Sequence, residues 1–372
     1  MSEPAKQEAF RPSVYWYVTF KCNLACKHCW VESGPNDCSE SLAAAELEKA
    51  VDNVLTIAPG SVILSGGEPF MYPELPRLVE ALSRRKTHIF VETNATMIEQ
   101  GNLLPFIAAR KQGIRLNFGV SVDGGLASDH DFLRGEGAFE RAIRGIGLLK
   151  ANHFPVNIQC VINKHNAANI QHMVKLAEEL DIATLVFAFL HPVGRALDNA
   201  EKLELNMDST IAALEKILAA SETSTKRIVV KIPPALIPPR LYPKFAMLKR
   251  AGRLSITTSC NFPLISILPD GKITICAITR DIQGANFGNI LRNDLACACQ
   301  KGCLSELRNC YVNVRWLEGI CSDCVFNQNC KGSCRAWPFE QCGRFSAAHP
   351  LCQEQYKAGE FPAVYMQSHY GK

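Results

Sequence analysis

Tyr15-Trp16-Tyr17-Val18-Thr19-Phe20-Lys21-Cys22-Asn23-Leu24-Ala25-Cys26-Lys27-His28-Cys29-Trp30 decides how this chain is read. Its first part is an aromatic and β-branched run that predicts a strand over 14–20. Directly after it stand Cys22, Cys26 and Cys29. Three thiolates leave one iron of a four-iron cluster free for an external ligand, and an amino acid offering an amine and a carboxylate suits that place. The same loop admits a zinc knuckle completed by His28 or Cys38.

Working outward, short apolar runs at 61–65, 87–92, 114–122, 155–162 and 183–190 alternate with amphipathic stretches near 41–57, 73–85, 98–111, 137–152 and 167–181, and another at 207–221. Six strand–helix units argue for parallel strands with crossovers. A doubly wound sheet and a partial barrel both satisfy that pattern, and in either the chemistry collects at the C-terminal strand ends. Ser65-Gly66-Gly67-Glu68-Pro69 ends the second strand. Adjacent glycines let backbone approach a ligand closely, and Glu68 suits an ammonium; a plain glycine turn is the competing reading. Pro233, Pro234, Pro238, Pro239 and Pro243 then mark a linker. The expected division is 1–232 for the α/β part, 233–252 for the linker and 253–372 for a loop-rich remainder. There Ile265–Pro269 and Lys272–Ala277 flank Asp270-Gly271 as a hairpin.

Forty basic against 36 acidic side chains leave a net charge of +4, too even to argue for nucleic acid. No stretch is long and apolar enough for a membrane span, and the N-terminus lacks a secretory layout, so a cytoplasmic chain is expected. Seventeen cysteines do not fit that setting as bystanders. In a reducing compartment such density means metal or catalysis. Four precede residue 40, Cys160 stands alone, and twelve lie between Cys260 and Cys352, so two metal-rich ends flank a nearly cysteine-free middle.

Cys22-x3-Cys26-x2-Cys29 followed by Gly66-Gly67-Glu68-Pro69 resembles the radical S-adenosylmethionine (SAM) superfamily. The resemblance covers residues 14 to about 200. It implies a partial (β/α)6 TIM-like barrel, and reductive cleavage of S-adenosylmethionine to a 5′-deoxyadenosyl radical that abstracts a substrate hydrogen. It also implies Trp30 beside the adenine, and Gly66, Gly67 and Glu68 at the methionine amine. Thr93, Asn94, Ser121 and Asp123 would stand near the ribose and carboxylate, with Asn163 and Arg195 as further cofactor contacts. For these polar residues, ordinary strand-end turns are the alternative.

The C-terminal order Cys260…Gly271…Cys276…Cys321-x2-Cys324-x5-Cys330-x3-Cys334…Cys352 is similar to the SPASM extension of radical SAM enzymes, where zinc ribbons are the competing reading. The similarity implies two auxiliary [4Fe-4S] clusters and three clusters in all. Cys260, Cys276 and Cys334 would hold the first, with a fourth ligand left open or supplied by Cys342. Cys321, Cys324, Cys330 and Cys352 would close the second. Cys38, Cys160, Cys297, Cys299, Cys303 and Cys310 read as small buried hydrophobes or spare thiols.

The resemblance further implies a peptide or protein substrate, modified by a thioether, a C–C crosslink or oxidation as in ribosomal peptide maturation, and an electron donor such as flavodoxin or ferredoxin. The alternative is an oxidative decarboxylase or dehydrogenase acting on a tetrapyrrole or quinone-cofactor precursor. Sulfatase-type members carry an acid after the second SPASM cysteine; here that position is Ala277. Only 21 residues precede Cys22, so a separate leader-binding protein, or leader binding by the barrel itself, is expected. His130 to Gly135 reads as a surface loop held by Arg134 with Asp131. His28 reads as facing solvent or shaping its loop, and His191 as a structural histidine.

Overall fold

The computed structural model describes residues 12–258, 264–282, 284–301 and 314–370. Ten strands form one sheet in the order β10-β9-β1-β2-β3-β4-β5-β6-β7-β8. β1 (Ser13–Thr19), β2 (Ser61–Gly66), β3 (Ile89–Thr93), β4 (Leu116–Ser121), β5 (Val156–Ile162) and β6 (Thr184–Phe189) fall where the apolar runs predict them. Every pair from β1 to β8 is parallel, with helices in the crossovers. The first four are α1 (Ala44–Leu55), α2 (Leu75–Arg84), α3 (Leu104–Lys111) and α4 (Ala127–Arg134). α5 (Ala138–Ala151) and α6 (Ile170–Glu179) follow.

Strand alternation sorts the two faces. Val14, Trp16, Val62, Leu64, Ile89, Val91, Phe118, Ile158 and Phe187 are buried against the helices. The helices answer with matching stripes: Leu47, Ala50, Val51 and Val54 on α1, and Leu75, Leu78, Val79 and Leu82 on α2. Cys160 points into this layer as a small hydrophobe, as expected. The other face is concave. Tyr15 Oη of β1 and Gln159 Nε2 of β5 both reach Glu92 of β3, at 2.9 and 3.3 Å, across an intervening strand on either side. A flat sheet would hold such groups apart; curvature into a partial barrel brings them together.

Three features differ from the sequence reading. α4 occupies 127–134, expected as a loop. β7 (Arg227–Lys231) and β8 (Leu254–Thr257) extend the parallel sheet beyond six strands. The stretch 233–252, expected as a linker, contains the helix Tyr242–Arg250, with Phe245 and Leu248 buried. Pro243 is tolerated there because it sits in the first turn, where its missing N–H has no partner to lose. The expected hairpin is present: β9 (Leu264–Ile267) and β10 (Ile273–Thr274) pair antiparallel around Gly271 at φ +82°. β9 also pairs parallel with β1, so the cysteine-rich end is joined to the barrel by backbone.

Candidate functional site

The loop after β1 has little structure of its own and is shaped from outside. Gly67 N–H donates to Thr19 O at 2.7 Å, and Glu68 N–H to Lys21 O at 2.9 Å. A Cβ on Gly66 would stand 2.1 Å from Thr19 O, and one on Gly67 2.2 Å from Lys21 O. The glycines are therefore required by the approach of the cysteine loop itself. From the end of β6, Arg195 Nε donates to Cys26 O at 2.8 Å and Arg195 Nη2 to Ser33 O at 2.7 Å. Asn199 Nδ2 donates to Lys27 O at 3.1 Å. Arg280, beyond the hairpin, donates to Val31 O at 2.8 Å and lies over the Phe20 ring.

Donors are also aimed at the sulfurs. Leu24 N–H lies 3.5 Å from Cys22 Sγ, Asn94 Nδ2 3.8 Å from the same atom, and Arg134 Nη1 3.9 Å from Cys26 Sγ. Burial pushes the Cys22 thiol up to about 12, and the neighbouring Cys26 and Cys29 add to the rise. Three neighbouring thiols, two of them buried and faced by donors and Cys29 partly exposed, fit a group that binds thiolates and accepts hydrogen bonds at sulfur, as an iron–sulfur cluster does. Among the described residues, no three His, Cys, Asp or Glu side chains converge on a single-ion site. His28 does not complete a zinc knuckle with the thiols. It is buried, and its Nε2 lies 3.2 Å from Asp123 Oδ2. Cys38 is exposed, its thiol donating to Asn36 O at 3.4 Å.

Glu68 is fully buried. Its carboxylate accepts from Thr93 Oγ1 at 2.7 Å, Asn94 N–H at 2.8 Å and Phe70 N–H at 3.2 Å, tying the ends of β2 and β3 together. Burial nevertheless raises its pKa to about 7 against those hydrogen bonds. Asp123, after β4, accepts from Arg134 Nε at 2.5 Å and from Val161 N–H at 2.8 Å. Although burial opposes ionisation, Arg134 and His28 hold its carboxyl well below the usual range. The expected Arg134–Asp131 pair is absent. Asp131 instead accepts from Gly137 N–H and Phe139 N–H, capping the start of α5. His130 is likewise buried, accepting Asp123 N–H at Nδ1, so 130–135 is no surface loop.

The remaining predicted residues divide. Trp30 is partly exposed beside the loop, edge-on to Tyr17 at 6.0 Å. Ser121 ends β4 on the concave face. Asn163 is buried in a strand-end turn, its Oδ1 accepting His165 N–H at 2.9 Å and its Nδ2 donating to Val161 O at 3.0 Å. Glu92, missed from the sequence, stands on the concave face and takes bonds from Tyr15, Ser65 and Gln159. A Cβ on Gly119 would lie 2.5 Å from Gln159 Nε2, so the missing side chain on β4 leaves the path open. An acidic residue in an otherwise apolar strand, with a glycine in the next, was the available signal.

At the C-terminal end, Cys321, Cys324, Cys330 and Cys352 line one small cavity of about 20 Å3. The nearness of the other three raises the Cys352 thiol further than burial alone. Burial raises the Cys276 thiol to about 12, the nearby Cys334 adds to the rise, and the Tyr17 hydroxyl lies alongside. Cys342 is exposed and donates to Pro338 O at 3.0 Å within its own helix. Cys297 is exposed and Cys299 partly buried on the helix Leu295–Lys301. Cys260, Cys303 and Cys310 lie outside the described residues.

Residues 16–177 match the Radical SAM superfamily model. The chain carries a radical SAM domain. With it come S-adenosylmethionine and a [4Fe-4S] cluster, and the chain is a radical SAM enzyme. It is 27% identical over 352 residues to the AdoMet-dependent heme synthase of Oleidesulfovibrio alaskensis, spanning 92% of this chain and 87% of that one. It is 26% identical over 362 residues to the mycofactocin maturase MftC of Mycobacterium ulcerans, spanning 95% and 90%. Streptococcus suis SuiB bound to S-adenosylmethionine shares the fold at a TM-score of 0.69 and 16% identity, over 92% of this chain and 77% of that one. This radical SAM enzyme thus has relatives named for two substrate classes. No helix among the described residues is long and apolar enough to cross a membrane.

Proposed function

We propose that the enzyme is a peptide maturase whose radical removes a hydrogen from a side chain or backbone carbon of a peptide held in the barrel. When bound at the loop, the cluster and S-adenosylmethionine supply a 5′-deoxyadenosyl radical. The chain's part is to place them. Cys22, Cys26 and Cys29 hold the cluster, while Asn94 and Arg134 point donors at its thiolates. Gly66, Gly67 and Glu68 take the methionine amine, with Thr93 and Asn94 holding the Glu68 carboxylate in position. Trp30 covers the adenine, and Ser121 faces the ribose side. Asp123 acts through Arg134 and His28, Arg195 through the loop carbonyls, and Asn163 through the β5 end. These three are positioning residues.

The carrying observation for a peptide is the concave face. Among its described strand residues from β1 to β6, Glu92 is the one charged side chain; Asn117, Asn157 and Gln159 supply neutral amides. Amide groups suit peptide backbone, and a central carboxylate repels the several carboxylates of a porphyrin precursor. The similarity to mycofactocin maturase supports the same reading. Tetrapyrrole decarboxylation is the second reading, supported by the similarity to heme synthases.

On the same reading the C-terminal part is a SPASM-type domain with two auxiliary clusters. Cys321, Cys324, Cys330 and Cys352 close one, and Cys260, Cys276 and Cys334 hold the other. The electron donor is a flavodoxin or ferredoxin. The test is anaerobic reconstitution followed by 5′-deoxyadenosine measurement, with peptides encoded beside the gene set against iron-coproporphyrin. Turnover coupled to a peptide mass change is expected. Turnover with the porphyrin alone overturns the assignment.

A further inference from the structure

His349 stands at the edge of the cavity lined by Cys321, Cys324, Cys330 and Cys352. It is 1% exposed, and neither ring nitrogen has a hydrogen-bond partner among the described residues. A buried polar group left unsatisfied is costly, so an unpaired imidazole in a packed interior calls for a missing partner. Its surroundings hold it in place. His349 N–H donates to Cys321 Sγ at 3.3 Å. The ring packs edge-on against Trp337 at 5.2 Å, and Trp337 N–H in turn reaches Cys334 Sγ at 3.4 Å. Pro350 follows directly, opening the helix Pro350–Lys357 that carries Cys352. The residue is thus held beside the four-thiol site by its backbone bond to Cys321 and the contact of its ring with Trp337, and the partner the ring lacks belongs in the cavity it lines.

We propose that His349 donates a ring N–H to a sulfur of the iron–sulfur cluster held by Cys321, Cys324, Cys330 and Cys352, and thereby raises that cluster's reduction potential. A neutral imidazole has one N–H to give. Reduction adds negative charge that is shared by the sulfurs, so a donor there stabilises the reduced state more than the oxidised one. His349 is a positioning and tuning residue, distinct from the ligands. The inference rests on the auxiliary-cluster reading above.

The test uses the full chain with Cys22, Cys26 and Cys29 changed to alanine, which leaves only the auxiliary clusters, in an EPR-monitored redox titration. His349→Phe keeps the ring and its packing on Trp337 but has no donor. His349→Gln keeps a donor. Expected is a potential for one cluster lower in His349→Phe by at least a tenfold change in the reduction equilibrium, about 59 mV for one electron. The second cluster should be unmoved, and His349→Gln should recover most of the loss. Unchanged potentials in His349→Phe overturn the inference. So does loss of the cluster from both variants, because a tuning donor is dispensable for assembly. Iron absent from the parent lacking the three loop cysteines instead overturns the auxiliary-cluster reading, a separate outcome.

Discussion

Gly67→Ala tests whether the barrel end imposes the shape of the cysteine loop. The added Cβ would stand 2.2 Å from Lys21 O, 2.6 Å from Lys21 C and 2.7 Å from Phe20 O. All three are backbone atoms, so no side chain can swing away. Real Cβ contacts essentially never fall below 3.0 Å, so the loop must retreat by about 0.8 Å. That retreat carries the Glu68 N–H···O Lys21 bond from 2.9 Å to about 3.7 Å, beyond hydrogen-bonding distance. Overpacking costs about 1–3 kcal/mol, and each of the two lost bonds, to Thr19 and Lys21, about 0.5–1.5 kcal/mol. A total of about 2–6 kcal/mol follows, concentrated one residue from Cys22. Urea denaturation of the metal-free variant should show that loss. The reconstituted variant should lack about four irons and form 5′-deoxyadenosine at least about 100-fold more slowly, about 2.7 kcal/mol in the barrier. Gly147→Ala, inside α5 with nothing within 4 Å of its Cβ, is the counterpart and should stabilise by about 0.5–1 kcal/mol. If Gly67→Ala binds full iron and unfolds like the parent, the claim that the glycine turn shapes the loop is wrong.

Asp123→Asn keeps the shape but strips the charge from a fully buried carboxylate facing Arg134 and His28. An uncompensated buried guanidinium costs about 3–5 kcal/mol, read by the shift of the urea midpoint at pH 7. Glu92→Gln preserves hydrogen bonding on the concave face, so the melting temperature and loop iron should stay unchanged while kcat/KM for the peptide falls about tenfold. An unaltered kcat/KM would remove Glu92 from the substrate site. In the metal-free protein, burial lowers His130 and His191 to about 4. The unfolded chain therefore binds their protons first, and stability falls as pH drops from 6.5 towards 4, by about 3 kcal/mol for each at pH 4.5. Glu68, raised to about 7, works oppositely. The folded carboxyl takes its proton first, so stability rises by about 3 kcal/mol as pH falls from 7 to 4.5. Glu68→Gln should therefore roughly double the loss on acidification, measured by urea midpoints at pH 7 and 4.5.

The parts readable from sequence were those whose physics is local. β1 to β6 showed because buried strands keep apolar runs, and α1 and α2 because their stripes repeat at helical spacing. The three-cysteine loop and the Gly66–Pro69 turn showed because their residue types are rare together. What was misjudged depends on neighbours across the fold. Arg134 lies three residues from Asp131 in sequence, but α4 turns it towards Asp123 at the end of β4, while Asp131 is taken by the α5 amides. His28 looked exposed because it sits among polar loop residues, yet that same carboxylate buries it. The bonds to Glu92 span β3 to β5 and β3 to β1, which requires knowing both strand order and curvature. Proline in 233–252 masked a helix because its position within the first turn, not its presence, decides its effect.

Inside the loop, backbone bonds are few and local, such as Cys29 N–H to Cys26 O at 3.2 Å. Its anchors come from residues 66–68 after β2, Arg134 on α4, Arg195 after β6 and Arg280 beyond β10. Those elements span most of the chain, so the thiols reach their arrangement only once the sheet is formed and β9 has joined β1. Burial pushes the Cys22 pKa up to about 12, so a thiolate there needs compensation. Metal binding must expel the thiol proton, and the donors of Leu24, Asn94 and Arg134 already aimed at sulfur are what favour the resulting thiolates. The shape of the thiol loop is therefore set by the whole barrel and not by the loop's own sequence, unlike small metal domains in which the metal itself organises the chain.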